Sequence, residues 1–408
     1  MPMMNELRFE VKSGQNLKVK LRDGLAECFG TELAKGKVYT FSDCNSCIFT
    51  WQGCVLEMDG ECHSYVADET PMNMYLNAHV ILQQKRERAR ETNTAGPKVV
   101  VVGSTDSGKS SLCRLLCNYA ARLGESVTYV DLDIGQGSIT LPGMISAIPL
   151  DRPYDLEDGF GMSAPLSFFY GDVDASLNPK LYAKQVQNLA AVVNRRLQEN
   201  RNAAASGAII NTMGWVDGQG YQLLCEAVDA FVPDVILVIA HERLYSDLVN
   251  DMGKKHPALQ IVKMPKSGGV VTRDQSVRRK ARSNRIREYF YGRSGELCPH
   301  STVIPFHNIR VLKTNVGPQA PISALPIGMQ PRVDLIKPRE VTPSSELLHS
   351  ILGVSLADNN ETLIETNLAG FLYVTDFNEE KKTITALAPC PGPLPSKFVL
   401  LGNLKYLE

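Results

Sequence analysis

Gly103, Gly108, Lys109 and Ser110 stand in the order and spacing G-x-x-x-x-G-K-S, a pattern whose chemistry is the binding of nucleotide phosphates. Each residue type has a task. The glycines let backbone N–H groups close round phosphate oxygens, a helix opening at the loop points its positive end at them, Lys109 reaches the β- and γ-phosphates, and Ser110 ligates Mg²⁺. The flanks suit the pattern: Val99 to Val102 read as a buried strand leading in, and Leu112, Leu115, Leu116, Tyr119 and Leu123 repeat at helical spacing leading out, closed by Gly124.

Phosphoryl chemistry at such a loop calls for a carboxylate at the C-terminal end of a neighbouring strand. Residues 127–132 read as that strand, delivering Asp131 and Asp133 in D-L-D-x-G-Q. Asp133 is nearer the strand end and heads Gly135 and Gln136, so it is the expected acid; the plainer alternative is that both aspartates cap the strand. A later strand, 206–211, releases Asn211 to Trp215 (N-T-M-G-W) at the edge where such sheets bind ligands. Trp215 can stack on a base, worth ~1–3 kcal/mol, or simply fill core. Arg278, Arg279, Lys280, Arg282, Arg285 and Arg287 then place six cations in ten residues. A solvated helix is the ordinary reading of such a run; beside a phosphate loop in an otherwise neutral chain, a catalytic lid over the transferred phosphate is favoured.

The elements that must position these groups fall into three stretches. Residues 1–93 show period-two alternation at Leu7, Phe9, Val11, Leu17, Val19, Leu21, Val38 and Phe41, a small β-domain, followed by a helix through Met74, Tyr75, Ala78, Ile81 and Leu82 whose charges Lys85 to Arg90 read as a solvated face. Residues 94–297 alternate strand and helix (helix 181–201, strand 206–211, helix 221–231, strand 234–239, strand 259–264), with a Pro-, Gly- and Asp-rich loop over 143–178. That is an α/β class, a central P-loop NTPase domain with a mostly parallel sheet. Residues 298–408 return to short β-like runs with turns at Pro318, Pro321 and Pro326 and offer no chemistry of their own. With 408 residues, 43 basic against 44 acidic side chains and 44% hydrophobic content, the chain is an ordinary globular protein of two or three domains. No secretory signal or long apolar run is visible, so no membrane role and an intracellular setting are expected. The ten cysteines are scattered. Cys44, Cys47, Cys54, Cys62 and His63 lie close enough to raise zinc, but buried thiols in strands are the expectation, as are core thiols at Cys113 and Cys117.

Taken together, Asp131 to Gly137, Asn211 to Trp215, Glu242 to Tyr245, Pro265 to Val271 and Arg285 to Gly292, with the P-loop, closely resemble the polynucleotide 5′-hydroxyl kinases of the Clp type, subunits of the pre-mRNA cleavage and polyadenylation machinery. The resemblance covers essentially the whole chain. It implies ATP and Mg²⁺ held by Asp106, Ser107, Gly108, Lys109, Ser110 and Ser111, metal at Ser110 and Asp133, and Lys109, Asp133, Arg282 and Arg287 as catalytic groups. Trp215 and Gln136 would face the RNA. The N-terminal domain would close over adenine through Glu6 and Asn45, the latter where relatives often carry lysine; Ser104 stands where they usually have proline. The implied activity is transfer of the ATP γ-phosphoryl group to RNA 5′-hydroxyl ends, in a nucleus, with the cleavage factor II scaffold subunit and the tRNA-splicing endonuclease as partners. A silent ATP-bound adaptor is the competing role. A GTP-driven switch is weaker, since the chain has no N-K-x-D motif.

Overall fold

The computed structural model describes residues 1–157, 159–160, 164–293, 295–314 and 336–407. The expected turns at Pro318, Pro321 and Pro326 lie outside them. The N-terminal sheet comprises β1 (Asn5–Gly24), β2 (Glu27–Cys28), β3 (Thr31–Glu32), β4 (Val38–Thr50), β5 (Cys54–Asp59) and β6 (His63–Ala67). The two alternating runs expected at 7–11 and 17–21 are one long strand, bent where the pairing with β4 shifts between Val11 and Asn16, as an antiparallel bulge does. Their six apolar side chains are buried together. Val38 is not among them; it is exposed, and its neighbour Tyr39 takes the inward place.

Helix α1 (Met72–Thr92) buries Met72, Tyr75, His79, Leu82, Arg86 and Ala89 along one stripe. The segment read as a solvated charged face therefore has Arg86 on its inner side, fully buried, with Nε donating to the Ser206 carbonyl at 3.0 Å. Arg90 pairs with the buried Glu125.

The central sheet comprises β7 (Lys98–Val102), β8 (Val127–Asp131), β9 (Met144–Leu150), β10 (Leu166–Phe169), β11 (Ala208–Asn211), β12 (Val235–Ile239) and β13 (Gln260–Met264), in the order β10-β9-β8-β11-β7-β12-β13. The five strands from β8 to β13 in that order run parallel, while β9 and β10 add on antiparallel. The loop expected over 143–178 thus contains two strands. The surrounding turns are rich in Pro, Gly and Asp, which masks the strands in a segment read as one loop. Helices α2 (Lys109–Arg122), α3 (Pro179–Glu199), α4 (Arg201–Ser206), α5 (Gln219–Phe231), α6 (Glu242–Lys255) and α7 (Gln275–Tyr291) complete this part; the single helix expected at 181–201 is α3 and ends before the separate α4, at Asn200, which caps α4 by accepting from the Ala203 N–H. Burial on both faces of a parallel sheet gives two cores: α3 to α6 on one side, α1 and α2 on the other.

The C-terminal sheet, in the order β14-β19-β18-β17-β20-β15-β16, is built from β14 (His300–Pro305), β15 (Arg310–Lys313), β16 (Arg339–Val341), β17 (Ser350–Ser355), β18 (Leu368–Asn378), β19 (Thr383–Ala388) and β20 (Phe398–Lys405). It packs against α7: Ile286 and Phe290 are buried among Leu312, Phe371, Tyr373 and Leu400, and the Tyr289 hydroxyl accepts from the Phe371 N–H at 3.1 Å. Gly171 and Gly402 bring the central and C-terminal backbones together so closely that a Cβ on either would strike the other.

Candidate active site

The parallel strands all end at one edge, and every chemistry-bearing loop leaves from it, as in other open α/β sheets. After β7 comes the phosphate loop. Gly108 sits at φ 94° and gives α2 a start with no side-chain cap among the described residues, which leaves the helix's first N–H groups to an anion. Lys109, 6% exposed, donates to the Gly103 and Ser104 carbonyls at 3.0 and 2.9 Å. Burial pulls its ammonium below the ordinary value, and the charge of Asp133 opposes that.

After β8, the two aspartates diverge. Asp131 is saturated: Oδ1 accepts from the Asp133 N–H at 3.1 Å and Asn211 Nδ2 at 2.9 Å, and Oδ2 accepts from the Ser138 N–H and hydroxyl at 2.7 and 2.6 Å. Asp133 uses only Oδ1, taking the Gly135 and Gln136 N–H groups at 2.9 and 3.1 Å. Among the described residues nothing bonds to its Oδ2. Burial, and next the charge of Asp131, raise the Asp133 carboxyl above the usual range.

Asn211, at the end of β11, ties the two loops together: Nδ2 donates to Asp131 and also to Ser110 Oγ at 3.2 Å. From sequence it stands only as the head of N-T-M-G-W, with no role of its own. Thr105 Oγ1 donates to the Gly214 carbonyl at 3.3 Å, which sets Trp215 beside the phosphate loop. The indole is half-buried, leaning on the core between Gly220 and neighbouring apolar groups. Ser111 follows Ser110 in the first turn of α2, half-buried.

Helix α7 overlies the loop with one face. Arg278 pairs with Asp106 at 2.6 Å, Arg285 donates to the Ser138 carbonyl, and Arg282 lies between them along the helix. Arg282 is half-buried with no hydrogen bond or ion pair among the described residues. Burial, then Arg279 and Arg278, lower its pKa, with Asp172 opposing. Arg287 does not join this face. It follows Arg278 by nine residues, half a turn out at about 100° per residue, and it is exposed. Arg273, missed from sequence because it precedes the cation run, bonds Asp106 at 3.0 Å and Gln136 Oε1 at 3.4 Å. The 3.6-residue period of Ile286 and Phe290 is the sequence signal that separates Arg278 from Arg287.

The N-terminal residues are placed differently from one another. Glu6 is buried and paired with Arg8, and accepts from Thr70 at 3.2 Å. The Arg8 guanidinium in turn lies on the Gly268–Gly269 backbone, where an added Cβ would meet it at 3.0–3.1 Å. That loop, 265–271, reaches the phosphate loop through Val270, 3.1 Å from where a Gly108 Cβ would stand. Asn45, on β4 opposite Glu10 of β1, is exposed, and its side chain bonds nothing among the described residues. Its neighbour Asp43 pairs with Lys280 of α7 at 2.7 Å.

These residues fit ATP with Mg²⁺. Ser107 Oγ and Arg278 Nε are buried without partners among the described residues, which is what groups meant for phosphate oxygens look like when counted against protein alone. Ser110 Oγ and the Asp133 carboxylate are the hard oxygen donors that Mg²⁺ takes.

Known proteins match along the whole length. Sequence profiles described as the N-terminal β-sandwich domain of polyadenylation factor, the mRNA cleavage and polyadenylation factor CLP1 P-loop, and the pre-mRNA cleavage complex II protein Clp1 match residues 1–89, 103–292 and 297–408. The chain is 44% identical over 406 residues to the polyribonucleotide 5′-hydroxyl-kinase Clp1 of Homo sapiens and equally to that of Gallus gallus, covering 99% of this chain and 95% of each relative. It is 44% identical over 404 residues to the CLP1 homolog of Dictyostelium discoideum, covering 99% and 88%. Among solved structures, a wild-type Clp1p–Pcf11p complex superposes with TM-score 0.87 at 27% identity, covering 100% of this chain and 97% of that one. A second, concerned with an extended Pcf11p–Clp1p interface and ATP loss in a point mutant, gives the same score and identity.

Proposed function

The chain belongs to the Clp1 family of pre-mRNA cleavage complex proteins, and from that premise we propose that it is an ATP-dependent polynucleotide 5′-hydroxyl kinase, phosphorylating RNA 5′ ends as a subunit of the mRNA 3′-end cleavage and tRNA-splicing machinery. The observation that carries the chemistry is the convergence of Lys109, Asp133 and the inner arginines of α7 on one sheet edge, with buried donors that nothing among the described residues satisfies.

In-line transfer asks the protein for positioning and charge neutralisation more than for covalent work. Lys109, Arg278 and Arg282 oppose the charge of the transferred group, and the buried setting strengthens that effect. Asp133, with one carboxylate oxygen uncommitted, accepts or orients the proton of the attacking 5′-hydroxyl. Ser110, and Asp133 when it is not engaging the 5′-hydroxyl, would hold Mg²⁺, which would supply further charge neutralisation when bound. Trp215, on a loop tied to the phosphate loop, stacks on the terminal base. Nucleotide binding itself follows from the family. A factor of the cleavage complex works in the nucleus, and a Pcf11-like scaffold subunit is the partner to expect, since the related Clp1p is solved in that complex.

The test is transfer of labelled γ-phosphate from ATP to a short 5′-hydroxyl RNA, with Lys109→Ala beside it. Transfer in the wild type and none in the variant supports the kinase. No transfer by a protein that co-purifies with ATP makes it an adaptor and retires the catalytic assignments.

A further inference from the structure

We propose that Asp106 is a positioning residue whose carboxylate anchors Arg273 and Arg278 to the phosphate loop, and that it acts on the arginines and not on the nucleotide. The proposal rests on the phosphoryl-transfer reading above. An acid inside an anion-binding loop has the wrong sign for phosphate, so its presence needs a reason. Asp106 takes a left-handed backbone, φ 54°, which aspartate tolerates better than most residues. Its side chain, 5% exposed, is turned toward the start of α7. There it accepts the Arg273 N–H at 2.9 Å, Arg273 Nε at 3.0 Å and Arg278 Nη2 at 2.6 Å.

An aspartate that merely shaped the loop would bond the loop's own N–H groups. Among the described residues, every hydrogen bond to this carboxylate comes instead from residue 273 or 278. The link extends further: Arg273 Nη1 reaches Gln136 Oε1 at 3.4 Å, and Gln136 belongs to the turn that Asp133 caps. One carboxylate thereby sets the positions of two guanidiniums relative to Lys109 and Asp133. The leftover buried groups, Arg278 Nε and Ser107 Oγ, belong to the arginine it holds and to the residue next to it. Burial works against ionisation of Asp106, yet the bonds from Arg273 and Arg278 hold its carboxyl below the usual range.

Asp106→Asn keeps a residue suited to the left-handed backbone and one acceptor oxygen while removing the charge. Hydrogen exchange of the full chain with β,γ-imido ATP should show amides 273–280 losing protection in Asp106→Asn, as in the Arg273→Ala, Arg278→Ala double variant, and no further loss when all three are combined. Transfer to a 5′-hydroxyl RNA should fall about 10²-fold in kcat with KM for ATP within about threefold of wild type. Unchanged exchange at 273–280, additive losses in the combined variant, or weakened nucleotide binding with exchange intact would each return Asp106 to the nucleotide site and overturn the proposal. A wild-type protein that transfers no phosphate defeats the kinase reading alone; exchange with the imido analogue still decides the anchor.

Discussion

Asp131 and Asp133 show how two residues apart in sequence can be worlds apart in chemistry. Asp131 accepts four hydrogen bonds, whereas Asp133 has one oxygen that nothing among the described residues engages. Asp133→Asn should therefore lower transfer by about 10²–10⁴-fold, the range for loss of a proton-handling group, with little change in melting temperature. Asp131→Asn should destabilise the protein by about 1–3 kcal/mol, since an amide nitrogen would face donors, which thermal denaturation measures. Because burial and the Asp131 charge raise the Asp133 carboxyl, it takes up its proton at a higher pH than a free aspartate does. The motif residues could be read from sequence because phosphate chemistry constrains their order along one strand and one helix. The roles of Asn211 and Arg273 could not, because they arise only when separate loops meet.

Helices α1 and α7 each carry charge on an inward stripe, and each corrects a reading based on composition. In α1, the buried positions 72, 75, 79, 82, 86 and 89 keep helical spacing, so Arg86 belonged to the core face all along; its charge concealed that until Ser206 supplied a carbonyl. His79, on the same stripe, is pushed down to about 4, first by burial and then by Arg86 and Arg122, with Glu125 opposing. The unfolded chain gains a proton as pH falls through 6.5 while the folded His79 stays neutral to about 4, so stability should decline between those values and be whole above them. His79→Phe should flatten that slope in denaturant titrations run across the window. In α7, the apolar seat on the C-terminal sheet holds the arginine face over the loop. Phe290→Ala should cost about 3–5 kcal/mol of packing if the helix stays docked. The sharper readout is transfer, which should fall more than ATP binding. The central alternation of strands and helices was legible because each period ran long enough to register. β9, β10, β14, β16 and β17 were not, being set among Pro, Gly and polar residues that read as loop.

At the scale of the molecule, the three sheets meet around α2 and α7. The β2–β3 hairpin rests on α2 through Asn118, whose Nδ2 donates to the Phe29 carbonyl at 2.8 Å. Asp43 holds α7 from the N-terminal side, and Phe371 and Tyr373 hold it from the other. The net charge of −1 leaves attraction for RNA to the local arginines, with each phosphate neutralised contributing a slope of about −0.7 in log K against log salt. Titration of a short RNA should thus give a shallow slope for one or two phosphates and little base preference, and a steep slope would place the contact elsewhere. The seat of α7 has a further consequence in the order of synthesis. β20, residues 398–405, lies inside the C-terminal sheet between β17 and β15 and carries Gly402 against Gly171. On the ribosome, the phosphate loop and α7 emerge some three hundred and some one hundred residues ahead of that strand. A nascent chain arrested before Phe398 has its phosphate loop and α7 already made while the platform beneath the arginine helix still lacks an inner strand.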